Sequence, residues 1–399
     1  MLERFDLEKT YQYLLIALAF LLPLTVSIAN TIIAIICFLW LFSGDYKAKY
    51  NQIMSSKLMI ASIVFYCLHV IGMLWTEDLQ WGLHILHKMW YFLLLFPILF
   101  NIVQRKYIKY YINAFLLAIA FTEIISYLIW FEIISPLRHG SVNNPTPFMS
   151  HISYNPILAF AIYLVYHDIF FKINLTGLKF FLYSFFAVTM TINMFITGGR
   201  AGQVAYFLVL GILIFQFFKN QKIKSLFTVV LLIPVIFITA YQSSHIFHER
   251  VDLALNNIIN YEIKRNTSIG LRITFNTNSW EVIKENPIIG VGTGDFPSQY
   301  KKINLMNTPQ LRTTTNPHNM YTLITMQLGL IGLISMLSIF YYQIKLSFSA
   351  SSRFIRDVGL TLPLVFLVLM FSDSYILGHF TTLMYVFFSA FLYKDFEEI

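Results

Sequence analysis

The sequence predicts an all-α, polytopic membrane protein. Of its 399 residues, 57% are hydrophobic and only 12% are charged, whereas a soluble chain carries about 25% charged residues. Apolar runs of about 18 residues or more recur along almost the whole length, and such runs cross bilayers. The runs are too long and too evenly apolar for barrel strands. Because lipid offers the backbone no hydrogen-bond partners, each span is expected to be a helix.

Twelve spans are predicted, and each helix needs roughly 20 residues to cross about 30 Å of hydrocarbon. Their approximate boundaries are 12–28, 30–44, 58–75, 85–103, 110–134, 155–171, 178–197, 201–218, 225–243, 318–343, 357–374 and 376–393. No internal repeat and no separate soluble domain is visible in the sequence. We therefore expect a single integral membrane domain over residues 1–399.

Lysine and arginine are distributed unequally between the loops on the two sides of the membrane. One set of alternate connections carries Lys47, Lys49, Lys57, Arg105, Lys106, Lys109, Lys172, Lys179, Lys219, Lys222, Lys224, Lys345, Arg353 and Arg356. The short connections on the other side hold only Lys88, Arg138 and Arg200. Because short basic loops stay in the cytoplasm, both termini are expected on the cytoplasmic side.

One outer connection is much longer than the others. Residues 244–317 form a polar segment of about 74 residues between the ninth and tenth spans, and long loops escape the positive-inside rule. A long ordered loop usually has a function. Within it, residues 270–285 predict an amphipathic helix at the outer membrane surface, with Leu271, Phe275 and Trp280 among its apolar positions.

The strongest candidate for chemistry is His318, in the stretch NPHNMYTLITMQLGLIG. Asn316 is predicted to cap the tenth span and Pro317 to take its first position, which puts His318 in the first helical turn. The positive helix end and partial burial favour a neutral imidazole, the form that accepts a proton from a hydroxyl. Gly329 and Gly332 would let another helix approach closely. From these residues alone, His318 is either a catalytic base or a polar residue above a packing motif.

Two arginines on the predicted outer side are candidates for binding an anion. Arg200 lies in TGGRAGQ between the seventh and eighth spans, where glycines allow a ligand to approach closely. Arg272 lies in the predicted helix of the long loop. A guanidinium matches phosphate oxygens in a bidentate fork, although Arg200 would also fit a flanking residue that extends its charge to solvent. The glycine-rich turn after the loop helix lacks the Lys-Ser or Lys-Thr of a Walker motif.

Weaker candidates are ionisable groups in or beside the spans: His69, Glu123, His151, Asp373 and His379. His69 and Glu123 lack an identifiable partner, which favours hydrogen bonding inside the bundle. Asp373 and His379 are expected to face one cavity at the last outward turn, and His151 is a second candidate for lining the site. No His, Cys, Asp or Glu cluster has metal-ligand spacing. A neutral base beside arginines suits a hydroxyl that attacks a sugar with a phosphate leaving group, without a metal.

With these motifs, the sequence resembles the O-antigen ligase and polymerase superfamily of bacterial envelope glycosyltransferases. Its ligases show His, then Asn, Ser or Gln, nine residues, Gly, two residues, and Gly, Thr or Tyr. His318-Asn319, nine residues, Gly329 and Gly332 match this pattern without a gap. ENPIIGVGTGDF is similar to the Pro-x-x-Gly-x-Gly segment of the family, and GLRITFNTNSW and TGGRAGQ are similar to its arginine-containing segments. The resemblance is close over about residues 200–335.

The resemblance implies a GT-C-type transferase in the bacterial inner membrane, with its active site on the periplasmic side. The donor would be a glycan on undecaprenyl pyrophosphate, and the acceptor of a ligase would be a sugar of lipid A-core. His318 would be the catalytic base, Arg200 and Arg272 would bind the donor pyrophosphate, and Asn319 would also contact substrate. The reaction would be metal-independent, with no cofactor, nucleotide or nucleic-acid partner. The oligomeric state, the sugars and the linkage are not predicted.

Three alternatives stay open beside the ligase. An O-antigen or capsule polymerase of the same superfamily would use a lipid-linked glycan as its acceptor. A protein O-oligosaccharyltransferase is a more distant relative and usually has a longer C-terminal region. A lipid-linked glycan transporter would predict paired broken helices, internal repeats or charge pairs inside the membrane. The ligase-type histidine motif favours the ligase.

Overall fold

The computed structural model describes residues 6–138, 140–172 and 177–395. Within these ranges the regular secondary structure is helical, with no β-strand, which confirms the all-α polytopic prediction. The helices are α1 (Leu7–Leu21), α2 (Val26–Phe42), α3 (Tyr46–Ser55), α4 (Lys57–Gly72), α5 (Leu79–Trp90), α6 (Phe96–Ile102), α7 (Ile108–Trp130), α8 (His151–Phe171), α9 (Gly177–Ile196), α10 (Arg200–Phe218), α11 (Lys222–Ser243), α12 (His245–Ile259), α13 (Ser268–Glu285), α14 (Phe296–Asn307), α15 (Met320–Ser349), α16 (Arg353–Leu369) and α17 (His379–Leu392).

Each predicted span overlaps a helix, but not every one of these helices is long enough to cross a bilayer by itself. Among the described residues, eight helical segments pass the test of length and composition: Lys57–Trp75, Leu79–Ile102, Arg105–Trp130, His151–Phe171, Gly177–Ile196, Arg200–Phe218, Lys222–Ser243 and Met320–Ser349. The bent pair of α2 and α3, with 115° between its members, would make nine. The other predicted spans correspond to α1, α16 and α17, of 15, 17 and 14 residues.

Contacts between residues divide the chain into two compact units. The first unit consists of Met1–Leu15, Thr31–Ile108 and Ala254–Ile399, and the second of Ile16–Asn30 and Lys109–Leu253. The predicted domain of residues 1–399 therefore stays a prediction. His318, Asn319 and Arg272 belong to the first unit, and Arg200 belongs to the second.

In the second unit, α8 is the central helix. It packs against α9 and α10, and every residue from Tyr154 to Val165 is buried. A helix that is apolar on all sides is stable only when other helices surround it. α11 has the opposite character, because only 11% of its apolar window is buried, and it packs against α10 on one side. The chain thus places the start of α8 and the start of α10 side by side.

In the first unit, α15 is the central helix, and it packs against α4, α13, α14 and α16. It is broken at Gly329, whose φ of 61° and ψ of −160° are not helical. A break inside a membrane helix leaves backbone groups without partners, and these must be satisfied by other protein groups. The break therefore identifies a place where another segment of the chain must contact α15.

Residues 287–292 of the glycine-rich turn fill this break. The amide of Val291 donates to the carbonyl of Met326 at 2.9 Å, and the amide of Leu330 donates to the carbonyl of Pro287 at 2.9 Å. A side chain on Gly329 would collide with the carbonyl of Ile288. The expectation that Gly329 admits another helix is thus wrong, because the approaching segment is the backbone of the loop.

Gly290 of the loop serves the same contact from the other side. Gly290 has a φ of 69°, a conformation that side chains disfavour, and a Cβ there would collide with the backbone of Gln327. A Cβ on Gly332 would collide with Leu328, one turn earlier in the same helix. The Pro-x-x-Gly-x-Gly segment and Gly329 are therefore two halves of one structural element.

The long polar segment of residues 244–317 contains helices, as predicted. α12, α13 and α14 all lie within residues 244–317, and α13 confirms the helix expected over 270–285. Leu271 and Phe275 are buried, at 5% and 1% exposure, and α13 packs against α14 and α15. The expectation that this apolar face lies on the membrane surface is therefore wrong, because protein neighbours cover it. Trp280 does not share the buried face and is 55% exposed.

Candidate functional site

His318 lies just before α15, not in its first turn. The helix begins at Met320, and Asn319 is its N-cap, with its side-chain oxygen accepting from the amide of Thr322 at 3.2 Å. The predicted cap at Asn316 is wrong. The side chain of Asn316 instead accepts from the amide of His318 at 2.9 Å, which closes a local turn that competes with the helix. His318 consequently has a φ of 53°, in the left-handed region.

The ring of His318 is oriented by Asp373. The Nδ1 atom of His318 lies 3.2 Å from the Oδ1 atom of Asp373. A carboxylate can only accept a hydrogen bond, so Nδ1 carries the proton and donates it. The Nε2 atom then has the lone pair, and no hydrogen-bond partner of Nε2 occurs among the described residues. The side chain of His318 is 31% exposed, so Nε2 can meet a ligand.

Arg272 contacts the same carboxylate. Its Nη2 atom lies 4.0 Å from the Oδ2 atom of Asp373, while its side chain stays 32% exposed. The structure therefore brings together the predicted His318 and Arg272, around an acidic residue that the sequence ranked among the weaker candidates. This arrangement places a base, a carboxylate and a guanidinium within one cluster.

Helix α13 presents Arg272 to this cluster through contacts of its neighbours. The ring of Phe275 stacks on the ring of His318, with centroids 6.3 Å apart. The side-chain amide of Asn276 donates to the carbonyl of Pro317 at 3.2 Å, and its oxygen accepts from the hydroxyl of Thr322 at 2.6 Å. These bonds join α13 to the start of α15, so that Arg272 and His318 are held by a common frame.

Asp373 stays ionised in this setting. It lies in the turn after α16, where burial raises the pKa of its carboxyl group. The hydrogen bond from His318, the amide of Ser374 and the positive charge of Arg272 more than offset burial, and the net pKa is below the ordinary value. The hydroxyl of Ser374 also donates to Asn316 at 2.9 Å, which ties this turn to the one that holds His318. A negative charge thus faces Nδ1 of the histidine.

In the second unit, Arg200 is the first residue of α10, next to the N-cap Gly199. The glycines of TGGRAGQ admit a protein side chain: Cβ atoms on Gly199 and Gly202 would collide with Asn155 of α8. Asn155 is fully buried, and its amide donates to the hydroxyl of Thr197 at 2.8 Å. The expectation that these glycines let a ligand approach is therefore wrong at Gly199 and Gly202, because the side chain of Asn155 fills the space beside them.

His151 and Asn144 hold the preceding part of the same turn. The amide of Gly198 donates to Oδ1 of Asn144 at 2.9 Å, and Nδ2 of Asn144 donates to Nδ1 of His151 at 2.9 Å. His151 was expected to line the site from the start of the sixth span. Its observed place is beside the turn that carries Arg200, which gives it a role in shaping that turn.

The remaining weaker candidates have internal contacts. His69 is fully buried, with Nδ1 at 2.8 Å from the carbonyl of Phe65. Glu123 is buried within α7, at 3% exposure. The Nδ1 atom of His379 lies 2.5 Å from the hydroxyl of Tyr91, and no hydrogen bond or ion pair joins His379 to Asp373 among the described residues. Of the pair expected at the last outward turn, only Asp373 joins the cluster of His318.

A metal site is not apparent in the part of the chain that the structure describes. Within residues 6–138, 140–172 and 177–395, no group of three or more His, Cys, Asp or Glu side chains is arranged to hold a metal ion. The cluster around His318 contains one carboxylate and one imidazole, together with a guanidinium that would repel a cation. Its donor set suits proton transfer and anion binding.

Comparison with known proteins agrees with the motifs. Residues 185–337 match the model of a family described as O-antigen ligase. An uncharacterized protein of Haemophilus influenzae is 30% identical over 166 residues, which cover 40% of this chain and 41% of that relative. The chain therefore matches less than half of the length of that relative.

The family match contains the segments of Arg200, Arg272 and His318, and it ends before Asp373. Asp373 is thus a member of the cluster that only the folded chain identifies, since its partner is 55 residues away in the sequence. The signal available in the sequence was an acidic residue at the outer end of an apolar run. The match over residues 185–337 confirms the resemblance to the O-antigen ligase superfamily that the motifs indicated.

Proposed function

We propose that the protein is an O-antigen ligase. It transfers a glycan from undecaprenyl pyrophosphate to a sugar hydroxyl of lipid A-core, at the periplasmic face of the bacterial inner membrane. The observation that carries this proposal is the hydrogen bond from His318 Nδ1 to Asp373, with Arg272 beside the same carboxylate. His318 and Arg272 both lie in the residues that match the O-antigen ligase family. This cluster supplies a base for the attacking hydroxyl and a positive charge for the leaving group.

His318 acts as the general base in this proposal. Its Nε2 atom takes the proton of the acceptor hydroxyl while the hydroxyl oxygen bonds to the anomeric carbon of the donor sugar. The bond from that carbon to the pyrophosphate oxygen breaks, and undecaprenyl pyrophosphate leaves with the electron pair. Asp373 stabilises the imidazolium that forms, as a carboxylate does behind a catalytic histidine. The imidazolium then returns its proton to water, which restores the base.

Arg272 and Arg200 bind the pyrophosphate of the donor. Charge develops on the leaving oxygen as the glycosidic bond breaks, and fixed guanidinium groups stabilise it without a metal ion. Arg272 is supported by its place in the His318 cluster, and Arg200 by its place at the start of α10. The oxygen of Asn319 caps α15, so its substrate contact is assigned to the amide group, which can donate a hydrogen bond.

The broken helix bears on the transporter alternative. A transporter uses the freed backbone groups of paired broken helices to bind its substrate. In α15, the carbonyl of Met326 and the amide of Leu330 are bonded by the loop of residues 287–292. This break is therefore a structural contact, and it lends no support to transport.

The test is His318→Ala in a reconstituted transfer assay with a lipid-linked donor and lipid A-core. We expect glycosidic bond formation to fall about 10²- to 10⁴-fold, the contribution of a general base. The matched control is His245→Ala, because His245 is 84% exposed and lies outside the cluster. Transfer at the wild-type rate by the His318 variant would remove the catalytic role.

A second experiment separates the ligase from the polymerase. Deletion of the gene should remove all long-chain material from lipid A-core, and lipid-linked polymer should accumulate. A polymerase would instead leave a single repeat unit attached to the core. Electrophoresis of lipopolysaccharide from the deletion strain distinguishes the two patterns, and complementation with the wild-type gene is the control.

A further inference from the structure

Arg250 of α12 lies against the turn that precedes Arg200. Its Nη2 and Nε atoms are 3.3 and 3.4 Å from the position that a Cβ would take on Gly198. Gly198 is buried and Arg250 is half-buried, so the guanidinium packs on the turn and keeps part of its surface exposed. A second arginine thus stands beside the segment that carries Arg200, although the two are 50 residues apart in the sequence.

The acidic residues next to Arg250 in the sequence are engaged elsewhere. Glu249 lies 3.7 Å from Nε2 of His245, and Asp252 lies 3.2 Å from Nε2 of His248. Asp252 also accepts a hydrogen bond from the hydroxyl of Tyr241 at 2.6 Å. Within the described ranges, no carboxylate comes within 4.0 Å of the Arg250 guanidinium.

The turn itself does not neutralise this charge. The amide of Gly198 donates to Asn144, and Asn144 donates in turn to His151. These partners carry no negative charge. A half-buried guanidinium is stabilised when an anion supplies the missing countercharge. The geometry around Gly198 therefore favours a bound oxyanion over a bound cation or a neutral group.

We propose that Arg250 is an anion-binding residue of the turn at Gly198, and that its ligand is a phosphate group of the lipid-linked pyrophosphate donor. The inference rests on the proposed function, because it assigns to Arg250 the substrate already proposed for Arg200. A pyrophosphate diester carries one negative charge and two free oxygens on each phosphorus. A guanidinium pairs with phosphate oxygens in a bidentate fork, and these free oxygens offer acceptors to Arg250 in addition to the arginines already proposed.

The experiment measures binding of inorganic pyrophosphate to the full-length protein in nanodiscs of phosphatidylcholine. Calorimetric titrations compare the wild type with Arg250→Gln, Arg250→Lys and Arg200→Gln. We expect Arg250→Gln to weaken binding about 10- to 100-fold, the loss typical of a hydrogen-bonded charge. Arg250→Lys keeps the positive charge but loses the bidentate geometry of the guanidinium. Its affinity for pyrophosphate should therefore lie between those of the wild type and Arg250→Gln. Arg312→Gln is the matched control, since Arg312 is exposed on the long outer loop.

The outcomes separate this inference from the function on which it rests. Unchanged pyrophosphate affinity of Arg250→Gln together with weakened affinity of Arg200→Gln overturns the role of Arg250 and leaves the proposed function in place. The reverse pattern keeps Arg250 and removes Arg200. If Arg250→Gln does not fold, Arg250→Lys decides, and wild-type affinity of that variant overturns the inference.

A phospholipid headgroup offers the same phosphate chemistry as the donor, and a second arm of the experiment tests that source. The titrations are repeated in nanodiscs that contain phosphatidylglycerol. The proposal expects pyrophosphate to bind Arg250 in both lipids. If Arg250→Gln changes only the binding of phosphatidylglycerol, with pyrophosphate affinity as in the wild type, the assignment to the donor is overturned.

Discussion

The cluster around His318 and the turn before Arg200 hold their charges in opposite ways. In the first, Asp373 faces both His318 and Arg272, at 3.2 and 4.0 Å. In the second, the guanidinium of Arg250 packs on a glycine turn and lacks a carboxylate partner among the described residues. A balanced cluster suits the movement of a proton, because its groups stabilise both forms of the histidine. A turn with excess positive charge suits the binding of an anion.

Asp373→Asn should have the largest effect, and it should affect the rate of transfer. The amide keeps the size of the side chain but loses the negative charge that stabilises the imidazolium. We expect the transfer rate to fall about 10²- to 10⁴-fold, with the affinity for pyrophosphate little changed. The measurement combines single-turnover kinetics with calorimetric titration.

Glu281→Gln is the control for this prediction. Glu281 also loses its charge in that variant, but it is only partly buried and pairs with Lys284 at 3.0 Å, away from the cluster. The comparison between the two regions would break down if Asp373→Asn weakened pyrophosphate binding as strongly as it slowed transfer. Asp373 would then hold the anion site in shape and would not serve the proton transfer.

Gly202→Ala should have an intermediate effect, and it should act through the turn. The added Cβ would collide with Asn155, which is fully buried and bonded to Thr197, so α8 and the start of α10 must separate. Overpacking of this kind costs about 1 to 3 kcal/mol. We expect a lower midpoint of thermal unfolding and weaker pyrophosphate binding, because Arg200 is displaced.

Helix α10 supplies its own control for this prediction. Gly211 lies on the same helix, and a Cβ there would meet its nearest neighbour, Ile233, at 4.0 Å. Gly211→Ala should therefore leave both the unfolding midpoint and pyrophosphate binding close to the wild type. If both variants behave like the wild type, Asn155 does not shape the turn of Arg200.

Much of the fold could be predicted from the sequence, because long apolar runs and a capped loop helix are local signals. The helix over 270–285 and the spacing from His318 to Gly329 are of this kind. The role of Gly329 could not be predicted from a local signal, because the segment that packs against it is the backbone of Ile288, 41 residues earlier. Only the folded chain shows that a loop, and not a helix, fills the break in α15.

The error at the start of α15 has a similar cause. Asn316 and Asn319 are both good capping residues, and sequence preference cannot choose between them. The choice is made by Ser374, whose hydroxyl donates to Asn316 and draws it into the turn with His318. Ser374 and Asp373 come from a different part of the chain. The site could thus be located from its motifs, but its orienting carboxylate could not.

The smallest expected effect is a change in the stability of the fold with pH. This change reports how strongly the positive neighbours in the His318 cluster stabilise the charge of Asp373. The folded-state pKa of Asp373 lies below its ordinary value of 3.8, because its hydrogen bonds and positive neighbours outweigh burial. A lowered pKa stabilises the fold above the unfolded-state value, and this stability is lost as the pH falls through the folded-state value. The wild type should thus exceed Asp373→Asn in unfolding midpoint at neutral pH, and the difference should shrink below about pH 5. Scanning fluorimetry of both proteins on one pH series measures that difference, in which contributions of the other acids cancel. Parallel curves would mean that burial cancels the attraction to His318 and Arg272, and that the cluster is not balanced in the way that its distances indicate.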